Sequence, residues 1–154
     1  CRVNFRGVGK GDGECDNGRG EVADAAAALD GLERENFDNS QCWVSGFSFG
    51  SLIAMQLLMR RPEINRFIAI SPQPNVYDFS FLFSCPTSGL MVYGKKDELV
   101  PLDYILELDK RLSSQKGIKV EFQSIPDTNH FFTKNEDKLI KHLDKYIKKE
   151  TALY

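Results

Sequence analysis

The decisive stretch of the sequence is Ser45-Gly46-Phe47-Ser48-Phe49-Gly50-Ser51, which lies between the apolar runs QCWV (41–44) and LIAMQLLM (52–59). The first run is short and typical of a strand, and the second is apolar on nearly every side until Arg60-Arg61-Pro62 ends it. These patterns predict a buried strand followed by a buried helix, with the seven residues at the corner between them.

Within this corner, the spacing Gly46-x-Ser48-x-Gly50 matches a nucleophile elbow. An elbow holds its serine in a strained backbone conformation, and the residues two before and two after it must lack side chains so that strand and helix can approach closely. The helix N-terminus then points at the oxyanion, with the backbone N–H of Phe49 as one donor. The competing interpretation is an ordinary turn rich in small residues.

A serine nucleophile needs a base, and the chain has only two histidines. His142 falls in the last predicted helix, off its apolar stripe, and is expected to face solvent. His130 stands in IPDTNHFF (125–132), a turn between a predicted strand and that helix, where catalytic loops collect. His130 is therefore the candidate base, although a lone loop histidine is more often an ordinary surface residue.

The third group of such a site is a carboxylate that fixes the histidine tautomer and lies between serine and histidine in the chain. Asp97, in VYGKKDELVP (92–101), follows a predicted strand in a short turn and fits this position. Glu98 is the nearest competitor, Asp103 falls inside the next helix, and Asp127 would have to reach His130 from the same turn. Three residue types in the required order, each after a different strand, are a more specific signal than any single match.

The rest of the chain alternates between strand and helix signals. Buried-strand runs occur at 66–70 and 90–93, and a weaker, alternating strand pattern occurs at 118–125. Apolar residues at helical spacing occur at 22–37, 101–112 and 139–147. Such alternation predicts an α/β fold, a three-layer α/β/α sandwich with a mainly parallel sheet. A chain of this length can bury one core, so a single domain over 1–154 is expected.

Composition excludes several classes of function. The formal net charge of −2 gives no broad positive field, so no nucleic-acid partner is expected, and no apolar run is long enough to cross a membrane. The four cysteines lack metal-ligand spacing and are interpreted as free thiols, which predicts no metal site and a cytoplasmic setting. The loop GVGKGDG (7–13) breaks the spacing of the glycine-rich phosphate motifs, so it is interpreted as a surface turn and no cofactor is expected.

Four stretches give the chain a resemblance to the α/β-hydrolase family over nearly its whole length. They are NFRGVGKGDG (4–13), which looks like the loop after the fourth strand of that fold, GFSFGS (46–51), like its elbow, GKKDELVP (94–101), like its acid turn, and TNHFF (128–132), like its histidine turn. Within the family the chain is most similar to compact bacterial hydrolases of the dienelactone-hydrolase-like and serine-peptidase-like kinds. The resemblance implies Ser48 as nucleophile, Asp97 as orienting acid, His130 as general base and Phe49 as oxyanion donor.

The activity implied by this resemblance is hydrolysis of an ester, thioester or amide bond in a small acyl substrate, because Ser48 stands where dienelactone hydrolases have cysteine. The alternative is a non-enzymatic relic or interaction module that keeps the fold. The segment 71–89 is too short for a sizeable cap domain. Its Tyr77, Phe79 and Phe81 are expected either to line an acyl pocket or to pack against the sheet.

The first residues carry a further expectation. Val3-Asn4-Phe5 looks like the end of a strand, and in the family three strands precede it, the third lying beside the elbow strand and bringing a second oxyanion donor. A sheet built only from the residues after Cys1 is therefore expected to be incomplete at this point. Its open strand edge would favour a homodimer.

Overall fold

The computed structural model describes residues 1–36 and 41–152, and strands and helices alternate in it from Arg19 onward. In chain order the elements are α1 (Arg19–Glu35), β1 (Cys42–Phe47), α2 (Phe49–Leu58), β2 (Ile64–Ile70), β3 (Gly89–Gly94), α3 (Leu102–Ser113), β4 (Val120–Ile125) and α4 (Glu136–Thr151), with a 3-10 turn at Ser80–Ser84 before β3. Phe37, which was predicted at the end of the first helix, lies outside the described residues.

The four strands form one sheet in the order β1-β2-β3-β4, and every neighbouring pair is parallel. Parallel strands bring their carboxyl ends to the same edge of the sheet. The segments that follow β1, β2, β3 and β4 therefore meet at one edge. Ser48, Asp97 and His130, the residues proposed for the site, lie in the segments after β1, β3 and β4 at this edge.

Side chains of successive strand residues alternate between the two faces of the sheet. On one face, Phe67 and Met91 lie in a core with residues of α1, α2 and α3, and on the other, Ile68 and Val92 pack with Tyr146 of α4. The predicted three-layer sandwich is thus confirmed. Between β2 and β3 the described chain contains only the 3-10 turn, so no cap domain stands over the strand ends.

β1 is less buried than its apolar run predicted, because Ser45 and Phe47 are exposed. The physical reason is its position in the sheet: among the described residues β1 pairs with β2 on one side and with no strand on the other. Trp43 of β1 still contacts the helical layer formed by α4, since its ring meets that of Tyr146 edge-on with 6.1 Å between centroids.

Residues Val3–Phe5 do not form the strand that their sequence predicted. A strand needs a hydrogen-bonded neighbour, and none of the described strands pairs with them. Instead, the Phe5 carbonyl accepts a hydrogen bond from the Val8 N–H at 3.1 Å, and the Phe5 ring meets that of Phe49 edge-on at 5.6 Å. The glycine-rich loop that follows consists of turns, as predicted, with Gly7 at a φ of 72°.

The apolar face of α4 is narrower than its sequence predicted. Tyr146 is buried and Leu139 and Leu143 pack against the sheet, whereas Ile147 is 41% exposed. One residue along a helix is a rotation of about 100°, which carries Ile147 away from the face that Tyr146 occupies. The apolar contact of the helix with the sheet therefore runs through Leu139, Leu143 and Tyr146.

Candidate active site

Ser48 is the single residue between β1 and α2. Its backbone has a φ of 52° and a ψ of −118°, a conformation of the kind that costs a non-glycine residue about 1–3 kcal/mol. Hydrogen bonds hold it there, because the Ser48 N–H donates to the Ile70 carbonyl at 2.8 Å and the Ser48 carbonyl accepts from the Ser51 hydroxyl at 2.6 Å. Such a strained serine between strand and helix is what the elbow hypothesis expects.

The two glycines beside Ser48 have different surroundings. A Cβ atom at Gly46 would lie 2.0 Å from the carbonyl oxygen of Gly50, so the close approach of β1 and α2 requires glycine at that position. A Cβ atom at Gly50 would meet the ring of Phe5 at 3.5 Å, which is ordinary van der Waals contact. The expectation that both positions must lack a side chain therefore holds for Gly46 and is wrong for Gly50.

The three residues proposed for catalysis form one chain of contacts. Ser48 Oγ lies 2.8 Å from His130 Nε2, and His130 Nδ1 lies 2.6 Å from Asp97 Oδ2. The His130 side chain is fully buried and that of Asp97 is 5% exposed. A charge-assisted hydrogen bond shielded from water in this way fixes both the orientation of the ring and which nitrogen carries the proton.

The turn after β3 holds Asp97 in place. Its second carboxylate oxygen, Oδ1, accepts hydrogen bonds from the N–H groups of Leu99 at 2.8 Å and Val100 at 3.0 Å. The Asp97 N–H in turn donates to the carbonyl of Gly94 at the end of the strand. The turn thereby orients the carboxylate through Oδ1, and Oδ2 faces His130.

Glu98, the competing acid, contacts the main chain of His130 and not its ring. Glu98 Oε2 accepts a hydrogen bond from the His130 backbone N–H at 3.2 Å. The pKa of the Glu98 carboxyl is lowered, first by a hydrogen bond from its own backbone N–H and then by the one from His130. Glu98 therefore supports the loop that carries the imidazole, while Asp97 contacts the ring.

The remaining titratable candidates lie apart from the site. Asp127 pairs with Lys96 at 2.6 Å, and Asp103 lies in the first turn of α3. His142 was expected to face solvent, but it is half-buried, and its Nδ1 lies 2.7 Å from Gln123 Oε1. The reason is that α4 packs along β4, which brings His142 against that strand.

Two polar side chains from the segment after β2 also reach the site, and sequence reasoning missed both. Ser71 is fully buried at a φ of 48°, and its Oγ donates to the carbonyl oxygen of His130 at 2.8 Å. Gln73 Oε1 lies 3.1 Å from Ser48 Oγ. Neither residue stands in a motif, so only the prediction that catalytic loops gather at the ends of parallel strands could have indicated them.

Phe49 follows Ser48 as the first residue of α2. The first N–H groups of a helix have no intrahelical acceptor, and they lie at the positive end of the helix dipole. The ring of Phe49 is held between two aromatic neighbours, with centroids 5.6 Å from Phe5 and 5.7 Å from Tyr77. The ring of Phe49 is thus packed on both sides, and the role of its N–H as an oxyanion donor stays a prediction.

Of Tyr77, Phe79 and Phe81, which were expected either to line an acyl pocket or to pack against the sheet, only Tyr77 has its ring near that of Phe49 at the elbow. Phe79 is 3% exposed within the core, and Phe81 packs against that core with its ring stacked on Phe79. Other aromatic side chains border the imidazole instead. The ring centroids of Phe47 and Phe131 lie 5.6 Å and 5.1 Å from that of His130, and Phe131 is 59% exposed.

The described residues contain no group of three or more His, Cys, Asp or Glu side chains placed to hold a metal ion. All four cysteines are free thiols, Cys85 being the buried one. Among the described helices, none has the length and apolar character needed to cross a membrane.

Sequence comparison identifies the family of this fold. Residues 1–84, which include the elbow, match the model of the alpha/beta hydrolase fold. The chain belongs to the alpha/beta hydrolase family. This alpha/beta hydrolase is similar to a protein of unknown function from Agrobacterium tumefaciens, which is proposed to be an alpha/beta hydrolase and whose crystal structure is known. The TM-score is 0.94 and the sequence identity is 46%, over 97% of this chain and 68% of that protein. The family resemblance recognised in the sequence is therefore confirmed.

Two further relatives define how much of a homologous protein the chain represents. An alpha-beta serine hydrolase homologue from Coxiella burnetii has a TM-score of 0.84 and 32% identity, over 93% of this chain and 66% of that protein. An uncharacterised protein from Rickettsia prowazekii (strain Madrid E) is 47% identical over 150 residues, which are 95% of this alpha/beta hydrolase and 63% of the relative. The chain thus spans less than two thirds of the length of that relative.

Proposed function

We propose that this alpha/beta hydrolase is a serine hydrolase that cleaves an ester, thioester or amide bond of a small acyl substrate. One observation carries the proposal: Ser48 Oγ, the buried His130 ring and Asp97 form a continuous chain of contacts of 2.8 Å and 2.6 Å. The likeness to a serine hydrolase homologue from Coxiella burnetii supports it. The strained backbone of Ser48 supports it as well, because strain of this kind is concentrated at functional sites.

In the proposed reaction, the Asp97 carboxylate accepts a hydrogen bond from the Nδ1–H of His130, which keeps the proton on Nδ1 and leaves Nε2 free to act as a base. His130 Nε2 takes the hydroxyl proton of Ser48 while Ser48 Oγ bonds to the acyl carbon and the carbonyl electron pair moves to oxygen. The N–H of Phe49 donates to this oxyanion. Collapse of the adduct expels an alcohol, thiol or amine, which receives the proton from His130.

The second half of the cycle repeats these steps with water as the nucleophile. His130 removes a proton from the water as its oxygen bonds to the acyl carbon, and the second adduct releases the acid. Ser48 Oγ leaves in that step and recovers the proton from His130. Each proton transfer of this proposed sequence passes through His130 Nε2.

The test is covalent labelling of the complete protein by a fluorophosphonate probe, which phosphonylates an activated serine. We expect labelling at Ser48 and its loss in Ser48→Ala. The matched control is Ser113→Ala, which removes an exposed hydroxyl near the end of α3. Absence of labelling in the folded wild-type protein would contradict the proposal and favour the non-enzymatic interaction module.

A further inference from the structure

The side chain of Gln73 contacts the same oxygen atom as the proposed base. Its Oε1 lies 3.1 Å from Ser48 Oγ, on which His130 Nε2 also converges at 2.8 Å. Gln73 comes from the segment after β2, and it is 25 residues away from Ser48 in the chain. The contact is therefore a product of the fold and gives the amide a direct influence on the nucleophile.

The backbone around Gln73 is firmly held. Gln73 stands between Pro72 and Pro74, whose rings fix φ and restrict the residue before each of them. The carbonyl of Gln73 accepts hydrogen bonds from the N–H groups of Val76 at 3.1 Å and Tyr77 at 3.0 Å. The amide is thus presented to Ser48 from a rigid support.

The number of protons on Ser48 decides which end of the amide can help the reaction. A hydroxyl group has one proton to donate and two lone pairs to accept with. The contact of His130 Nδ1 with the Asp97 carboxylate places a proton on Nδ1, so Nε2 of the neutral ring accepts the proton of Ser48. With Oε1 towards Ser48, the amide of Gln73 competes with His130 for that proton.

Rotation by 180° about the last side-chain bond of Gln73 exchanges Oε1 and Nε2 at nearly the same positions. In that orientation the amide donates to Ser48 Oγ and leaves the hydroxyl proton to His130. One lone pair of Oγ is then occupied by Gln73, and the other is free for the acyl carbon. The hydroxyl group is fixed in a single productive rotation.

We propose that Gln73 is a positioning residue whose amide N–H donates to Ser48 Oγ and holds the hydroxyl in the orientation in which His130 accepts its proton. The inference rests on the proposed serine-hydrolase function. It adds a fourth side chain to the site, one that acts on the nucleophile without taking up or releasing a proton.

Two substitutions separate the donor from the acceptor role of Gln73. Gln73→Met keeps the length of the side chain and removes the donor, and Gln73→Glu has nearly the same shape but at neutral pH only accepts. We expect the maximal rate of fluorophosphonate labelling to fall about 3- to 10-fold in Gln73→Met, the effect of one uncharged hydrogen bond. Gln73→Glu is expected to be slower still, because its carboxylate competes for the Ser48 proton and repels the oxyanion.

The measurement is the labelling rate as a function of probe concentration, which separates the maximal rate from the half-saturating concentration. A positioning role lowers the maximal rate and leaves the half-saturating concentration and the melting temperature near those of the wild type. Gln123→Met is the matched control. Gln123 lies on β4, away from the elbow, and the substitution removes an amide that contacts His142 of α4. It is expected to label at the wild-type rate.

The outcomes distinguish failure of the positioning role of Gln73 from failure of the proposed serine-hydrolase function. A labelled wild type with Gln73→Met or Gln73→Glu at the wild-type rate would overturn the role of Gln73 and leave the proposed function intact. An unlabelled wild type would overturn both. If Gln73→Met does not fold, Gln73→Ala takes its place, because it removes the donor without adding a charge: a lower maximal rate supports the donor role and an equal or higher rate contradicts it.

Discussion

Ser71 and His130 are joined by a buried hydrogen bond of 2.8 Å, from the Ser71 hydroxyl to the His130 carbonyl, although they follow different strands. The Ser71 N–H also donates to the carbonyl of Val92 at 2.8 Å. Ser71 therefore links the segment after β2, the strand β3 and the loop that carries the imidazole. The position of His130 relative to Ser48 depends on this link.

Replacement of Ser71 by alanine is expected to loosen the histidine loop. Ser71→Ala leaves the His130 carbonyl buried without this donor, which should cost about 1–3 kcal/mol in the free energy of unfolding. Urea denaturation measures the loss, and the fluorophosphonate labelling rate should fall with it. Ser113→Ala serves as the control on an exposed site. An unchanged unfolding free energy in Ser71→Ala would show that the hydrogen bond does not hold the loop.

The glycines of the elbow provide a matched pair of substitutions. Gly46→Ala places a Cβ atom 2.0 Å from the Gly50 carbonyl oxygen, so β1 and α2 must separate, and we expect loss of labelling and a free energy of unfolding lower by several kcal/mol. Gly50→Ala adds only an ordinary contact with Phe5 and a better helix former, and its stability should stay within ~1 kcal/mol of the wild type. Thermal unfolding of the two variants checks both expectations. Equal stabilities would contradict the geometry.

The tautomer of His130 is expected to depend on Asp97. Asp97→Asn retains an oxygen for the N–H groups of Leu99 and Val100, but it offers an amide donor where His130 Nδ1 needs an acceptor. The ring then carries its proton on Nε2 and cannot accept the one from Ser48. By analogy with the same change in a serine protease, we expect labelling to slow by ~10³–10⁴-fold with little change in stability.

The control for this change is Glu98→Gln, which keeps an oxygen acceptor for the backbone N–H of His130. Its labelling rate is expected to stay within ~3-fold of the wild type, the scale of one weak uncharged hydrogen bond. If Glu98→Gln abolished labelling and Asp97→Asn did not, the roles of the two carboxylates would have to be exchanged.

Glu21 gives the protein a defined dependence of stability on pH. The side chain is fully buried, accepts hydrogen bonds from the N–H groups of Asp16 and Gly18, and has a pKa of about 2, lowered most by a hydrogen bond with the Cys15 thiol. The ordinary pKa is 4.5, so the stabilisation is complete above that pH and is lost as the pH falls towards 2.

The variant Glu21→Gln tests this dependence. We expect it to be less stable than the wild type at pH 7, because the amide accepts these hydrogen bonds with one oxygen and brings an unpartnered N–H₂ group into a buried site. The difference in unfolding free energy should shrink between pH 4.5 and pH 2. Urea denaturation at pH 7 and at pH 3 measures it. A difference that stays constant over this range would contradict the low pKa.

Local patterns predicted the layers of the fold and the residues that meet at the site, because both depend on properties that the sequence expresses directly. Alternating strand and helix signals predicted the parallel sheet, and chain order predicted which acid would lie near His130. The contacts of Ser48, His130 and Asp97 follow from strand ends that share one edge. Their catalytic roles stay predictions until labelling is measured.

The features that the sequence did not predict depend on distant parts of the chain. Whether Val3–Phe5 forms a strand depends on a neighbouring strand and not on its own residues. Gly50 matches the motif, yet the space beside it is set by Phe5, which is 45 positions away in the sequence. Ser71 and Gln73 carry no motif at all, and their contacts with His130 and Ser48 follow only from the fold that brings these segments together.

Trp43, which lies on β1 against Tyr146 of α4, is the only tryptophan of the chain. Its intrinsic fluorescence consequently has a single source, one that is located where the elbow strand meets the helical layer behind it. Emission from this indole would report separation of α4 from β1 without any added dye. Tryptophan emission and probe labelling can thus follow the packing of α4 on β1 and the reactivity of Ser48 in the same sample.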